Sequence, residues 1–336
     1  MIDVHYWRRQ PKSFRVQYES YHKILKRCFD GESSGPGDSR YLELEDLAGP
    51  DLTILRGLRS TVCPFGDMST IRYRVGVLGG STVFCAEVPD HLTLPSQLAL
   101  ALEGCGIPAE VVNFGVSGAT SKSAIERFHR YSDDGHFDLL VLYLGGNDCY
   151  AGLGKHVPAS TITRTTVGKL IQIVTMLREL RTTTLRSVAR LSSDAKRSGQ
   201  SLMIVLQPLA ATTPSFLRAI VGCLTAGTSW GLLFGLRLGY SSLRRHLRGL
   251  GTFLDLSSLP ENADRSLFVD WAHLNATGNQ QVAQRVAQAI CLEMGHEVRW
   301  HIGSPVVQTT FHAPERTEPV GIGASEKMDP FNYPLF

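Results

Sequence analysis

What most constrains this chain is an alternation that runs from about residue 71 to residue 294. Short apolar runs of strand length are each followed by a stretch with helical spacing. Parallel strands need a crossover to return the chain to the same edge of the sheet, and a helix supplies it, so the alternation predicts an α/β domain. The strand candidates are 72–78, 110–114, 139–144, 202–206 and 253–256, apolar and partly β-branched as strands covered on both faces should be. Helices are expected over 96–103, 121–131, 166–191, 216–247 and 276–294. Asn275 and Thr277 are both good caps ahead of Val282, Val286, Ala289 and Ile290 in the last of these. Five strands with helices between them imply an open, doubly wound parallel sheet.

The flanks read differently. Residues 1–70 form an N-terminal extension, with a helix over 13–29 and a Gly/Ser/Pro-rich linker over 31–40. The α/β domain is expected over 71–294, with 207–250 as a lid or helical insertion. Residues 295–336 carry Pro305, Pro314, Pro319, Pro330 and Pro334 without a clear period and read as a coil extension. The seven cysteines are scattered and form no C-x-x-C pair, which fits free thiols in a reducing compartment. No apolar core of a secretory signal follows the first residues, so a cytoplasmic location is expected.

Charge excludes some functions. A net charge of +3 in 336 residues does not mark a nucleic-acid binder. Within 161–250, however, 13 Lys and Arg face only Glu179 and Asp194. The simplest reading is a solvated basic face: on the 166–191 helix Val167, Leu170, Ile171, Val174 and Leu177 would turn inward and the arginines outward. Residues 219–236 carry no charge and place Gly227, Gly231 and Gly235 four apart, a spacing that permits close helix packing. A membrane span there would separate residues 81 and 273, which the chemistry below unites. A buried helix or lid is favoured over membrane contact.

Four loops carry reactive groups. Ser81 follows Gly79 and Gly80 after the first strand, and Gly115 lies in the turn after the second. Asn147 follows Gly145 and Gly146 after the third strand, and Asp270 and His273 stand just before the final helix. A serine hydroxyl is a weak nucleophile until a base accepts its proton. His273 suits that role because imidazole titrates near neutral pH, and Asp270 can orient its other ring nitrogen. The Ser81 and Gly115 N–H groups and the Asn147 amide are candidate donors to an oxyanion. Asp133, Asp134 and His136 read as a solvated turn rather than a metal cluster, and no phosphate-binding glycine motif follows a strand.

The blocks GGST at 79–82, NFGVSG at 113–118, GGND at 145–148 and DWAH at 270–273 resemble the SGNH (GDSL-like) hydrolases, in the form of a GGST-type bacterial branch. The resemblance spans about residues 72–290. It implies a three-layer, flavodoxin-like, five-stranded sheet of order 2-1-3-4-5. It further implies a serine esterase with triad Ser81, Asp270 and His273 and an oxyanion hole of Ser81, Gly115 and Asn147. No metal or cofactor is implied, and the partner is a small-molecule, carbohydrate or lipid ester. One departure is Gly80, where the family's name motif has Asp. Two alternatives remain open at this point: an acyltransferase using the same triad, and a non-catalytic binding module on this fold.

Overall fold

The computed structural model describes residues 4–30, 43–64, 71, 73–132, 135–154, 166–210, 230–259 and 265–295. The expected linker, the C-terminal extension, the Asp133–Asp134 pair and residues 219–229 of the uncharged run lie outside them.

Helices α1 (Val4–Arg9) and α2 (Lys12–Asp30) precede a hairpin of β1 (Ile54–Leu55) and β2 (Leu58–Arg59). Then come β3 (Tyr73–Gly79), α3 (Ser81–Phe84), α4 (Leu94–Gly104), β4 (Ala109–Asn113), α5 (Ser121–Tyr131), β5 (Leu139–Leu144) and α6 (Gly146–Gly154). Helix α7 (Thr166–Glu179) continues through a π-helical turn, Leu180–Thr184, into α8 (Leu185–Arg197). Strand β6 (Ser201–Leu206), α9 (Trp230–Leu247), β7 (Thr252–Asp255) and α10 (Ala276–Glu293) follow.

The sheet order is β1-β2-β4-β3-β5-β6-β7, with β4 to β7 and β3 mutually parallel where they pair and the β1–β2 hairpin antiparallel at the β4 edge. The sheet therefore has seven strands where five were expected. The added pair consists of two-residue strands, too short to leave a period in the sequence. Side chains alternate between two apolar layers. Leu140, Leu142 and Leu144 of β5 face Ile173, Met176, Leu191 and Tyr240. Leu139, Val141 and Tyr143 face the layer of Leu98, Leu102, Val282 and Val286. Helices thus cover both faces, and the carboxyl ends of neighbouring β3 and β5 come together.

Local chemistry explains where several elements begin. The Thr93 side chain accepts from the Ser96 N–H, and Pro95 sits in the first turn, so α4 opens two residues before its expected start. In α10 the Asn275 side chain, not Thr277, accepts from the Gly278 N–H, 3.0 Å away.

Helix α7 corrects one expectation. Val167, Leu170, Ile171 and Val174 are exposed, at 67, 60, 49 and 59%. The buried stripe is Ile173, Met176 and Leu180, which belongs to the layer containing Leu153 of α6 and Leu236 of α9. Both stripes have helical spacing, and only the neighbours decide between them. Gly239 allows the close contact of α9 with this stripe, because a Cβ there would run into Cys149 and Met176. Among the described residues no helix is long and apolar enough to cross a membrane.

The described residues 4–30 and 43–60 contribute to the same core. Trp7, Phe14, Tyr18 and Tyr21 are buried in one cluster with Phe84 and Phe114, and Tyr21 stacks on Phe84 with ring centroids 4.3 Å apart. Arg59 of β2 is fully buried. Its guanidinium donates to the carbonyls of Phe84 (2.7 Å), Cys85 and Val88 (2.7 Å) and pairs with Asp90 at 2.8 Å. It thereby fixes the loop after α3. Breaking a buried charge pair costs about 3–5 kcal/mol, so Arg59→Ala should lower stability by about that amount in urea unfolding. A loss below about 1 kcal/mol would remove the clamp from this account.

Candidate active site

Ser81 is the first residue of α3, at the carboxyl end of β3, where its N–H has no acceptor within the helix. Its Oγ lies 2.8 Å from Nε2 of His273, a residue 192 positions later. On the other side of the ring, His273 Nδ1 lies 2.8 Å from Asp270 Oδ2. The second Asp270 oxygen accepts the backbone N–H groups of Ala272 (2.8 Å) and His273 (2.7 Å), so the carboxylate is locked by its own turn. A 2.8 Å bond from the Val269 N–H to the His273 carbonyl closes that turn. Ser81, His273 and Asp270 are therefore joined in one hydrogen-bonded line.

Asn147 is the second residue of α6, just after the end of β5, the strand beside β3. Its Nδ2 donates to the Ala119 carbonyl at 2.9 Å, which fixes the amide plane. Gly80 makes this position available. A Cβ on residue 80 would collide with the Asn147 amide and press on the Ala119 oxygen. Glycine at residue 80 is thus coupled to the placement of Asn147.

Gly115 differs from expectation. Its N–H donates to the Asn113 Oδ1 at 2.9 Å, while the Asn113 amide donates to the Val83 carbonyl. The Asn113 side chain intercepts the donor and ties the Gly115 turn to α3. The site brings together Ser81, His273, Asp270 and Asn147; the Gly115 N–H is committed elsewhere.

Three residues that the sequence reading did not single out hold this arrangement. Asp148 is buried and accepts from the Ser121 N–H (2.9 Å), the Ser121 hydroxyl (3.0 Å), the Thr184 hydroxyl (3.0 Å) and the Gly145 N–H (3.3 Å). It joins the Asn147 turn to α5 and to the π-helical turn. Its place in the GGND block was a signal, although nothing local indicated these partners. Arg59 is the second. Glu87 is the third, a carboxylate 6% exposed with Oε1 3.7 Å from His273 Nε2.

Burial dominates the electrostatics and is then partly overruled. It disfavours a charged His273, but the carboxylates of Asp270 and Glu87 outweigh it and raise the imidazole from 6.5 to about 10. Burial likewise works against the Asp270 carboxylate, yet the facing imidazole and the three hydrogen bonds hold it below the ordinary carboxylate range. Among the described residues, no three His, Cys, Asp or Glu side chains gather as a metal site would require.

A family model described as GDSL-like lipase/acylhydrolase matches residues 64–286. Among solved structures, the chain is similar to the acetyl xylan esterase AlAXEase at 15% identity and TM-score 0.44, covering 65% of this chain and 99% of that one. It is also similar to a GDSL-like lipase from Parabacteroides merdae at 16% identity and TM-score 0.45, with 66% and 97% covered. A further similar structure is the acetyl xylan esterase Axe2 from Geobacillus stearothermophilus, at 12% identity and TM-score 0.42, with 69% and 98% covered. Among curated protein sequences none matches.

The hydrogen-bonded line yields a direct expectation. Asp270→Asn keeps the shape but offers Nδ1 an amide in place of a carboxylate. Turnover of an ester should fall by about 10⁴ with an unchanged circular dichroism spectrum. A loss under tenfold would mean that Asp270 does not orient the imidazole.

Proposed function

The chain belongs to the GDSL-like lipase/acylhydrolase family and is a serine-type carboxylic ester hydrolase, and we propose that it cleaves small acyl esters, acetyl esters included, through an acyl-enzyme on Ser81. The observation that carries this assignment of residues is the 2.8 Å and 2.8 Å line from Ser81 through His273 to Asp270. Ser81 Oγ attacks the ester carbonyl as its proton passes to His273 Nε2. The imidazolium is held by Asp270, then returns the proton to the departing alcohol oxygen. Water, deprotonated by the same nitrogen, adds to the acyl-serine carbonyl. Collapse of that adduct releases the carboxylic acid and restores Ser81.

The oxyanion falls to the Ser81 N–H and the Asn147 amide, whose orientation by Ala119 supports this role. Gly115 joins them only if its N–H leaves Asn113. We read the five parallel strands as a flavodoxin-like sheet extended by the hairpin, and GGST at 79–82 as the mark of the GGST-bearing branch. A small or medium-sized ester, with a carbohydrate or lipid alcohol, fits this chemistry, and no cofactor enters the scheme.

Two measurements test the reading. A fluorophosphonate probe should label the intact protein and not Ser81→Ala, and p-nitrophenyl esters of increasing chain length should release free acid, fastest for the short chains. No labelling and no hydrolysis would leave only a binding module, whereas acyl transfer to an added alcohol in place of acid would make the protein an acyltransferase. Asn147→Ala should fold normally and lose about 10²–10³ in kcat. Unchanged kcat would take Asn147 out of the oxyanion hole.

A further inference from the structure

His273 has a second carboxylate neighbour that the triad does not use. Glu87 lies in the loop between α3 and α4, buried, with Oε1 3.7 Å from Nε2, the nitrogen that faces Ser81. Asp270 meets the opposite nitrogen. The separation of Glu87 from Nε2 is too long for a good hydrogen bond, but it is well within the range of a strong charge interaction in a dry site.

Its position is built, not incidental. The Tyr6 hydroxyl of α1 donates to the Glu87 carbonyl at 2.8 Å. Arg59 clamps the carbonyls on both sides, at Cys85 and Val88. The loop cannot carry Glu87 away without breaking these bonds.

Resting on the esterase reading of this site, we propose that Glu87 is a positioning residue for the reaction, a second carboxylate that holds the His273 imidazolium from the nucleophile's side and governs when the base is free. Among the described residues, the following charged and titratable groups surround it. From the loop before α10 come His273 and Asp270. From β2 comes Arg59, whose charge is engaged by Asp90 and by the loop carbonyls. Cys85 lies on the same loop, and the phenols of Tyr6 and Tyr21 belong to α1 and α2. His22 of α2 faces His273 and is kept neutral by burial, lowered to about 4.

The consequence is a pair that titrates as a unit. Burial favours a proton on Glu87, and His273 pulls the other way by favouring the carboxylate. With Glu87 charged, the shared proton sits on the imidazole, and Nε2 cannot accept the Ser81 proton until the pH rises. Activity should therefore increase through an alkaline ionisation. In the transition state the same carboxylate stabilises the imidazolium that forms.

Glu87→Gln removes the charge and keeps the shape. The rising limb of its kcat/KM profile should move at least one pH unit toward acid, and its plateau should fall below that of the wild type, so the two profiles cross. Simple structural damage lowers a profile without moving it. A second readout needs no turnover. In Ser81→Ala protein the ¹⁵N shifts of His273 report its titration midpoint, and adding Glu87→Gln, or Glu87→Met where the amide does not fold, should lower that midpoint by at least one pH unit. Overlaid profiles, or an unmoved midpoint, would overturn the role of Glu87. Absence of fluorophosphonate labelling and of turnover in the wild type would overturn the esterase reading, leaving the His273 midpoint to judge Glu87 on its own.

Discussion

The contact between Ser81 and His273 depends on the packing of α4 against α10, two helices nearly two hundred residues apart in the chain. Leu98 and Leu102 of α4 lie in one buried layer with Val282, Val286 and Ile290 of α10, against the β3 and β5 side chains. Asn279 fastens the pair at the site end, its amide donating to the Leu92 carbonyl at 3.1 Å. The DWAH turn enters α10 directly, so the depth at which α10 seats sets the height of the imidazole above the nucleophile. Apolar burial supplies the energy and one buried amide supplies the register.

Around this frame, a few buried polar groups do what apolar packing cannot. Asp148 gathers three segments at once: the β5–α6 turn, the start of α5 and the π-helical turn after α7. The π-helical turn is consistent with that demand, because widening the helix by one residue brings the Thr184 hydroxyl to the carboxylate. Arg59 does the equivalent for the loop after α3, and Cys85 within that loop takes the left-handed backbone conformation at φ 56°. Such a conformation in a non-glycine residue persists only where its surroundings over-determine it. The Arg59 bonds to the carbonyls of Phe84, Cys85 and Val88 provide that constraint. The N-terminal segment is thus part of the site's support.

The sequence made some of this legible and hid the rest for physical reasons. Ser81, Asn147, Asp270 and His273 could be read because each stands in a glycine-rich or capping turn at the end of a strand or the start of a helix, where local pattern and chemistry coincide. Arg59 could not. Its partners lie 25 to 31 residues away, and no local pattern around residue 59 points to them. The bond from the Gly115 N–H to the Asn113 side chain could not be read, because a spacing of two residues does not say which way an amide turns. On α7 two apolar stripes competed, and the choice rested on Leu153 and Gly239, residues of other helices.

The two carboxylates beside His273 show how much such detail matters, since the same functional group is driven in opposite directions a few ångströms apart. Asp270 accepts two backbone N–H groups as well as the ring nitrogen, and with those bonds its negative charge survives burial. Glu87 is buried to a similar degree and receives its own backbone N–H, but there desolvation prevails and its proton is held more tightly than on an ordinary carboxyl. One carboxylate is therefore a fixed charge, and the other is a charge that depends on the state of the imidazole. A ring placed between them answers to both, and its basicity is a property of the three groups together.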